Sequence, residues 1–337
     1  MSASTESLQL KKRPNALSSN LQLRWTLFKR KYANLTGVKH IIVRIFMYLL
    51  IIGLAFVFLY PFLYMITTSL MSNADLNSTS VHWIPTEIKF ENYAIALQLM
   101  NGARYAKNSF FVTIVATFGH VIACSFIGYG FARYNFPLKK LLFGCVMLAF
   151  IVPTQTLIIP LYLTYSNLGW LDSYLPLLVP TFFGFGLRGA LYVFLFRQFF
   201  LTVPKSLEEA ARIDGCGFMM TYWRIVFPLA KATLVVAMVL SVVWHWNDFY
   251  EPGLYVTDPG KSFLPPKLNN IIAAANALPD QQQEMLRSLG LEDGEDTLNN
   301  AVVMAGAVII SAPVLLFFAF AQRQFMQGIE RTGITGE

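Results

Sequence analysis

The sequence predicts an all-α integral membrane chain with six spanning helices and both termini cytoplasmic. Three observations carry that expectation. Of 337 residues, 55% are apolar and only 13% are charged; a soluble domain carries about 25% charged residues. The mean hydropathy is +0.50. Six separate stretches are apolar over about the 20 residues that a helix needs to cross a bilayer.

Residues 1–40 form a polar, basic tail with Lys11, Lys12, Arg13, Arg24, Lys29, Arg30, Lys31 and Lys39. Juxtamembrane cations of this kind anchor topology against anionic lipid. The first span is Ile45–Thr68. It is too long and too late for a cleaved signal peptide, and no small-residue cleavage site follows it. A long external loop, 71–107, leads to span two, Asn108–Ala132, which carries Thr113, Thr117 and His120. Span three, Leu141–Tyr165, is broken by Pro153 and Pro160, and proline kinks helices. Leu168–Asp172 is a tight external turn. Span four, Tyr174–Phe200, contains Arg188 and three glycines, Gly184, Gly186 and Gly189, which permit close helix approach. Segment 201–228 follows on the inside. Span five, Leu229–Tyr250, ends in a polar and aromatic stretch from Trp244. The external loop 251–300 has weakly amphipathic stretches around Leu268–Leu278 and Glu284–Leu291 and an acidic cluster at Glu292, Asp293, Glu295 and Asp296. Span six, Ala301–Ala321, closes a membrane domain over 41–328, and 329–337 is a C-terminal tail.

Orientation follows from Lys and Arg, which concentrate on the cytoplasmic side. With the N-terminus inside, 17 of the 26 basic residues fall on inside segments and six on outside loops. The same distribution accounts for the net charge of +7 without nucleic acid. The three cysteines have no C-x-x-C spacing, which excludes a disulfide scaffold; they read as buried or interfacial thiols.

Segment 201–228 is more than a linker. Pro204 ends the incoming helix. Ser206 with Glu209 three residues later forms a capping box that predicts a new helix, on which Glu208 and Arg212 are spaced to pair. Asp214-Gly215 is a turn signal. A second short helix runs to Pro228 with Met219, Trp223 and Val226 as its apolar stripe. The expected product is a compact helix–turn–helix whose apolar surface suits docking.

The spacing within this loop resembles a known family. Glu209-Ala210-Ala211, three residues, Gly215, nine residues, Ile225, one residue and Phe227-Pro228 is similar to the EAA loop of ABC importer permeases. Phe-Pro stands where that family usually has Leu-Pro. The likeness extends over nearly the whole chain after the tail. Tyr129-Gly130-Phe131-Ala132-Arg133 with Phe136-Pro137, Ile151-Val152-Pro153, Ile159-Pro160-Leu161-Tyr162, Leu168-Gly169 with Asp172-Ser173-Tyr174, Trp246-Asn247-Asp248-Phe249 with Pro252, and Gln322, Phe325 and Gly328-Ile329 with the Gly-rich end at Gly333 and Gly336 resemble carbohydrate-type permeases in the right order. The nearest likeness is the maltose-type second permease subunit.

The resemblance implies a type I ABC importer permease fold in a bacterial inner (plasma) membrane. It implies that Glu209, Ala210, Ala211, Asp214, Gly215, Ile225 and Pro228 dock into a groove of an ATPase and transmit its motion. It implies as partners a homologous second permease, two cytoplasmic ATP-binding subunits, an extracytoplasmic solute-binding protein and membrane lipid. The function it implies is translocation of a sugar or oligosaccharide by alternating access. A permease of the same fold for a peptide, amino acid or phosphate is the alternative, and a membrane-embedded enzyme a more distant one.

The residues themselves propose no catalysis. Gly260-Lys261-Ser262 imitates the end of a P-loop, but the glycine that motif needs five residues earlier is Tyr255. His40, His82, His120 and His245 lack metal-binding spacing. Asn34-Leu-Thr36 is a glycosylation triplet on the wrong side. ATP and Mg are therefore expected on a partner ATPase, with no cofactor in this chain. Polar groups inside spans face protein or water, which makes Arg188, Gln155, Trp244, Asn247 and Asp248 the candidates for the solute pathway: planar polar groups and an aromatic face suit a sugar.

Overall fold

A computed structural model of the chain describes residues 35–78, 83–186, 188–288 and 298–333, and every regular element among them is helical. Most of the basic tail and the acidic cluster at 292–296 lie outside the described residues.

The first helix, α1 (Leu35–Ser69), is apolar and includes Pro61. Residues up to Tyr64 form one unit and residues from Met65 a second. Side chains of 39–64 are exposed throughout. A helix apolar on every face suits lipid or another membrane chain as its surroundings.

In the second unit, a capping box between Ser72 and Asp75 starts the short turn Asn73–Asn77. Then come α2 (Glu91–Leu99), whose Asn92 donates to the Ser69 carbonyl at 2.9 Å, and α3 (Gly102–Arg133), one unbroken helix. α4 (Lys139–Ile151) ends where Val152 turns extended ahead of Pro153, as the residue before a proline does. A 3-10 turn at Thr154–Leu157 leads into α5 (Ile158–Asn167), and the two halves of expected span three are bent by 102°. Expected span four is also discontinuous. Short turns Leu175–Leu178 and Val179–Phe183 stop at Gly184, and α6 (Gly189–Thr202) begins afresh after Arg188. α7 (Ser206–Ile213) and α8 (Phe218–Leu229) form the loop helices. α8 meets α9 (Lys231–Asn247) at 78°. α10 (Tyr250–Tyr255), α11 (Leu268–Ala275), α12 (Pro279–Ser288) and α13 (Asn300–Gly333) complete the order. Among the described residues, three helices are long and apolar enough to cross a membrane, at Lys39–Ser69, Gly102–Arg133 and Asn300–Met326, or up to five if each bent pair is one span.

Packing centres on α3. Against α6 it comes close because Gly128 has no side chain: a methyl there would lie 2.7 Å from Phe196 Cβ and 2.9 Å from the Arg197 nitrogen. Tyr129, Tyr192, Phe196, Phe200, Tyr222 and Val226 bury around this contact. A second cluster joins α2, α9, α11 and α13, where Trp246 donates to the Ile310 carbonyl at 2.9 Å. Residues 262–264 lie against the start of α3: Asn108 donates to the Ser262 carbonyl and the Leu264 N–H to Ser109, both at 2.9 Å. The amphipathic stretch from Leu268 is α11, with Ile271 and Ala274 buried.

Candidate coupling loop and solute pathway

Within 201–228, α7 follows Pro204, the chain turns at Gly215 with φ +80°, and α8 runs past Pro228 to Leu229. Three local details differ. Ser206 does not cap α7. The Glu208 and Glu209 N–H groups already donate to the Lys205 carbonyl, so the helix starts one residue earlier, at a Lys205 N-cap without a side-chain bond. Glu208 does not pair with Arg212. It turns inward and meets Arg133 of α3, Oε1 to Nε at 2.7 Å, with both side chains about 95% buried. The apolar stripe of α8 is also shifted. Met219 and Trp223 are exposed, while Thr221, Tyr222 and Val226 are buried. A π turn at Tyr222–Val226 interrupts the 3.6-residue period within this helix. It precedes Pro228, whose ring crowds the carbonyl four residues back.

The residues that the resemblance expects to dock divide by face. Glu209, Ala210, Asp214, Gly215 and Pro228 are exposed, Ile225 is half-buried and Ala211 is buried. Ile213, Met219 and Trp223 add exposed apolar side chains on the same two helices. The loop thus presents a mixed acidic and apolar surface and grips α3 with its other side.

Of the pathway candidates, the structure brings Arg188 and Trp244 together. The guanidinium carbon lies 4.4 Å from the indole centroid, and both residues are exposed. Arg188 is left-handed, with φ +61°, a conformation that costs an L residue about 1–2 kcal/mol. It stands immediately before α6, at the break in expected span four. Asn247 is exposed and donates to the Val243 carbonyl of its own helix at 2.9 Å. Asp248 caps α10, accepting from the Tyr250 and Glu251 N–H groups at 3.0 and 3.3 Å. Gln155 is exposed on the Pro153 bend. Gly260-Lys261 lies in a 3-10 turn capped by Asp258, and the chain turns extended at Ser262 rather than entering a helix.

Sequence spacing gave no hint of one further contact. His120 of α3 and His245 of α9, 125 positions apart, join Nδ1 to Nε2 at 3.0 Å, and His120 also meets the Phe185 carbonyl at the broken span. The available signal was their company: each is a lone histidine in an apolar span, and such groups seek polar partners. His245, Thr113, Asp248 and Glu251 border a cavity of about 30 Å³. A water needs roughly 10–15 Å³ measured this way, so the cavity has room for a few waters and is too small for a sugar.

Asp172, with φ +56°, accepts from the Thr257 hydroxyl at 2.5 Å and from its N–H at 2.7 Å. Those hydrogen bonds hold its carboxyl below the usual range.

Comparison with known proteins agrees with this geometry. Residues 121–331 match the family described as binding-protein-dependent transport system inner membrane component. The sn-glycerol-3-phosphate transport system permease protein UgpE of Yersinia enterocolitica is 31% identical over 222 residues, covering 66% of this chain and 70% of the relative. A probable ABC transporter permease protein of Pyrococcus horikoshii is 29% identical over 280 residues, 82% of this chain and 92% of that one. Among solved structures, a chain of a bacterial ABC transporter involved in the import of the acidic polysaccharide alginate shares the fold. Its TM-score is 0.69 at 23% identity, covering 84% of this chain and 96% of that chain. The chain belongs to the family of inner-membrane components of binding-protein-dependent transport systems, as a permease component whose ATPase activity lies in a separate subunit.

Proposed function

We propose that this chain is one of two homologous permease subunits of an ATP-driven importer, carrying a sugar or oligosaccharide by alternating access. In this reading residues 41–328 cross the bacterial inner membrane six times, the bent and broken helices each counting as one span, with both termini cytoplasmic. Two ATP-binding subunits hold ATP and Mg beneath the 201–228 loop, and a solute-binding protein docks on the opposite side near 71–107 and 251–300.

The observation that carries the solute class is the exposed Arg188–Trp244 pair at the broken span. An arginine within a span costs at least about 2.5–3.5 kcal/mol on insertion scales, so it faces water or protein. Discontinuous spans line binding sites in transporters. An indole face takes the C–H surface of a sugar, and a guanidinium takes its hydroxyl or acidic oxygens. The glycerol phosphate and alginate named for the relatives are polyhydroxylated, which supports this class. In this reading the route runs along the face shared with the second permease.

Uptake competition with a panel of sugars tests the reading. Arg188→Gln and Trp244→Ala, in the assembled transporter, are expected to change the competition profile while ATP hydrolysis continues. An unchanged profile in both variants contradicts it. Asn247→Ala, assayed the same way, tells whether that exposed amide also borders the route.

A further inference from the structure

One stripe of α3 grips both arms of the coupling loop. Ser125, Tyr129 and Arg133 are four residues apart and share a helix face. Ser125 meets the Tyr222 hydroxyl of α8 at 2.6 Å, with both groups buried. Tyr129 packs its ring against Tyr222 and Phe218 at 5.3 and 5.8 Å. Arg133 holds Glu208 of α7 at 2.7 Å and donates to the Val203 carbonyl at the end of α6. Packing between loop and helix is not continuous, because a cleft of about 360 Å³ lined by Tyr129, Glu208, Arg212 and Phe218 lies between them.

A buried ion pair is a costly way to stabilise a fold, since desolvation offsets its attraction. It gives direction instead: apolar surfaces slide past one another, whereas a paired guanidinium and carboxylate keep one register. Higher on the same helix, His120 meets the Phe185 carbonyl and Cys124 the Gly189 carbonyl, on either side of Arg188. The helix that grips the loop therefore also touches the broken span.

We propose that this stripe carries loop motion into the membrane, and that Arg133, Glu208, Ser125 and Tyr222 are positioning residues of the transport cycle. The proposal rests on the reading of 201–228 as the ATPase-coupling loop.

The test uses the complete transporter with both permeases, ATPase and binding protein, reconstituted in vesicles, with solute uptake and ATP hydrolysis measured on one preparation. Arg133→Glu and Glu208→Arg are expected to keep the ATPase bound, because the exposed face of α7 is untouched, and to lower solute transported per ATP about tenfold, within the usual range of coupling between sites. The double charge swap restores most of that ratio. Tyr222→Phe removes a single oxygen and lowers the ratio about fivefold, the low end of that range; it decides the matter if the charge variants fail to assemble. Wild-type transport per ATP in any assembled Arg133 or Glu208 single variant, or in Tyr222→Phe, overturns the proposal. A fault in the underlying reading shows separately, as normal ATPase retention and transport in Gly215→Pro.

Discussion

Gly215 offers a graded test of the loop. Its φ is +80°, and a methyl added there would meet nothing within 4 Å. The cost of a side chain is therefore one of backbone alone. For alanine it is about 1–2 kcal/mol, which lowers the population of the native turn roughly 5- to 30-fold. Asparagine, tolerated in the left-handed region, loses less. Proline loses most, since its φ is held near about −65° and the Gly215 N–H that donates to the Arg212 carbonyl at 3.0 Å disappears. α8 would then leave the turn in another direction and no longer meet the ATPase together with α7. The assay is solute uptake and binding-protein-stimulated ATP hydrolysis in reconstituted complexes of checked subunit ratio. Activity is expected to fall in the order Asn, Ala, Pro, with Pro inactive. Wild-type uptake in the Ala and Pro variants, or an order that follows side-chain size, refutes the argument.

The purified chain alone is expected to hydrolyse no ATP, measured as phosphate release with and without an added ATPase subunit. Gly128→Val drives a branched side chain into Phe196 and the backbone at Arg197; overpacking of this kind costs about 1–3 kcal/mol and should appear as a lower Tm of the detergent-solubilised complex. Asp172 has a folded pKa below its unfolded one, so its contribution is present above the ordinary aspartate value, near about 3.9, and is lost as pH falls through the lower folded value. Amide exchange at Thr257 and Asp258 should accordingly be slow at neutral pH, and Asp172→Ala should speed it there, with no difference from wild type below the folded pKa.

The apolar runs made α1, α3 and α13 legible, because each is a long helix with no breaker that its neighbours fail to tolerate. Pro153 announced the bend in span three, and Pro204, Gly215 and Pro228 marked the loop. What escaped was tertiary. The i,i+4 rule paired Glu208 with Arg212, but the buried Arg133, 75 positions away, offers a drier partner. The stripe on α8 followed a 3.6-residue period that the π turn interrupts. Gly184 and Gly186 read as packing glycines, yet both take positive φ at the break in span four, and Arg188 joins them without any residue preference to announce it. The meeting of His120 with His245 likewise depends on how α3 and α9 pack, and no local spacing encodes it.

The central claim is that α7 and α8 present one face to an ATPase and the other to α3. Photo-crosslinking from single positions in the assembled transporter tests it most directly. Probes at exposed Glu209, Ile213 and Met219 are predicted to link to the ATPase subunit, while probes at buried Ala211 and Val226 link only within this chain. Absence of ATPase adducts from all three exposed positions, or adducts to the solute-binding protein in their place, would contradict the account.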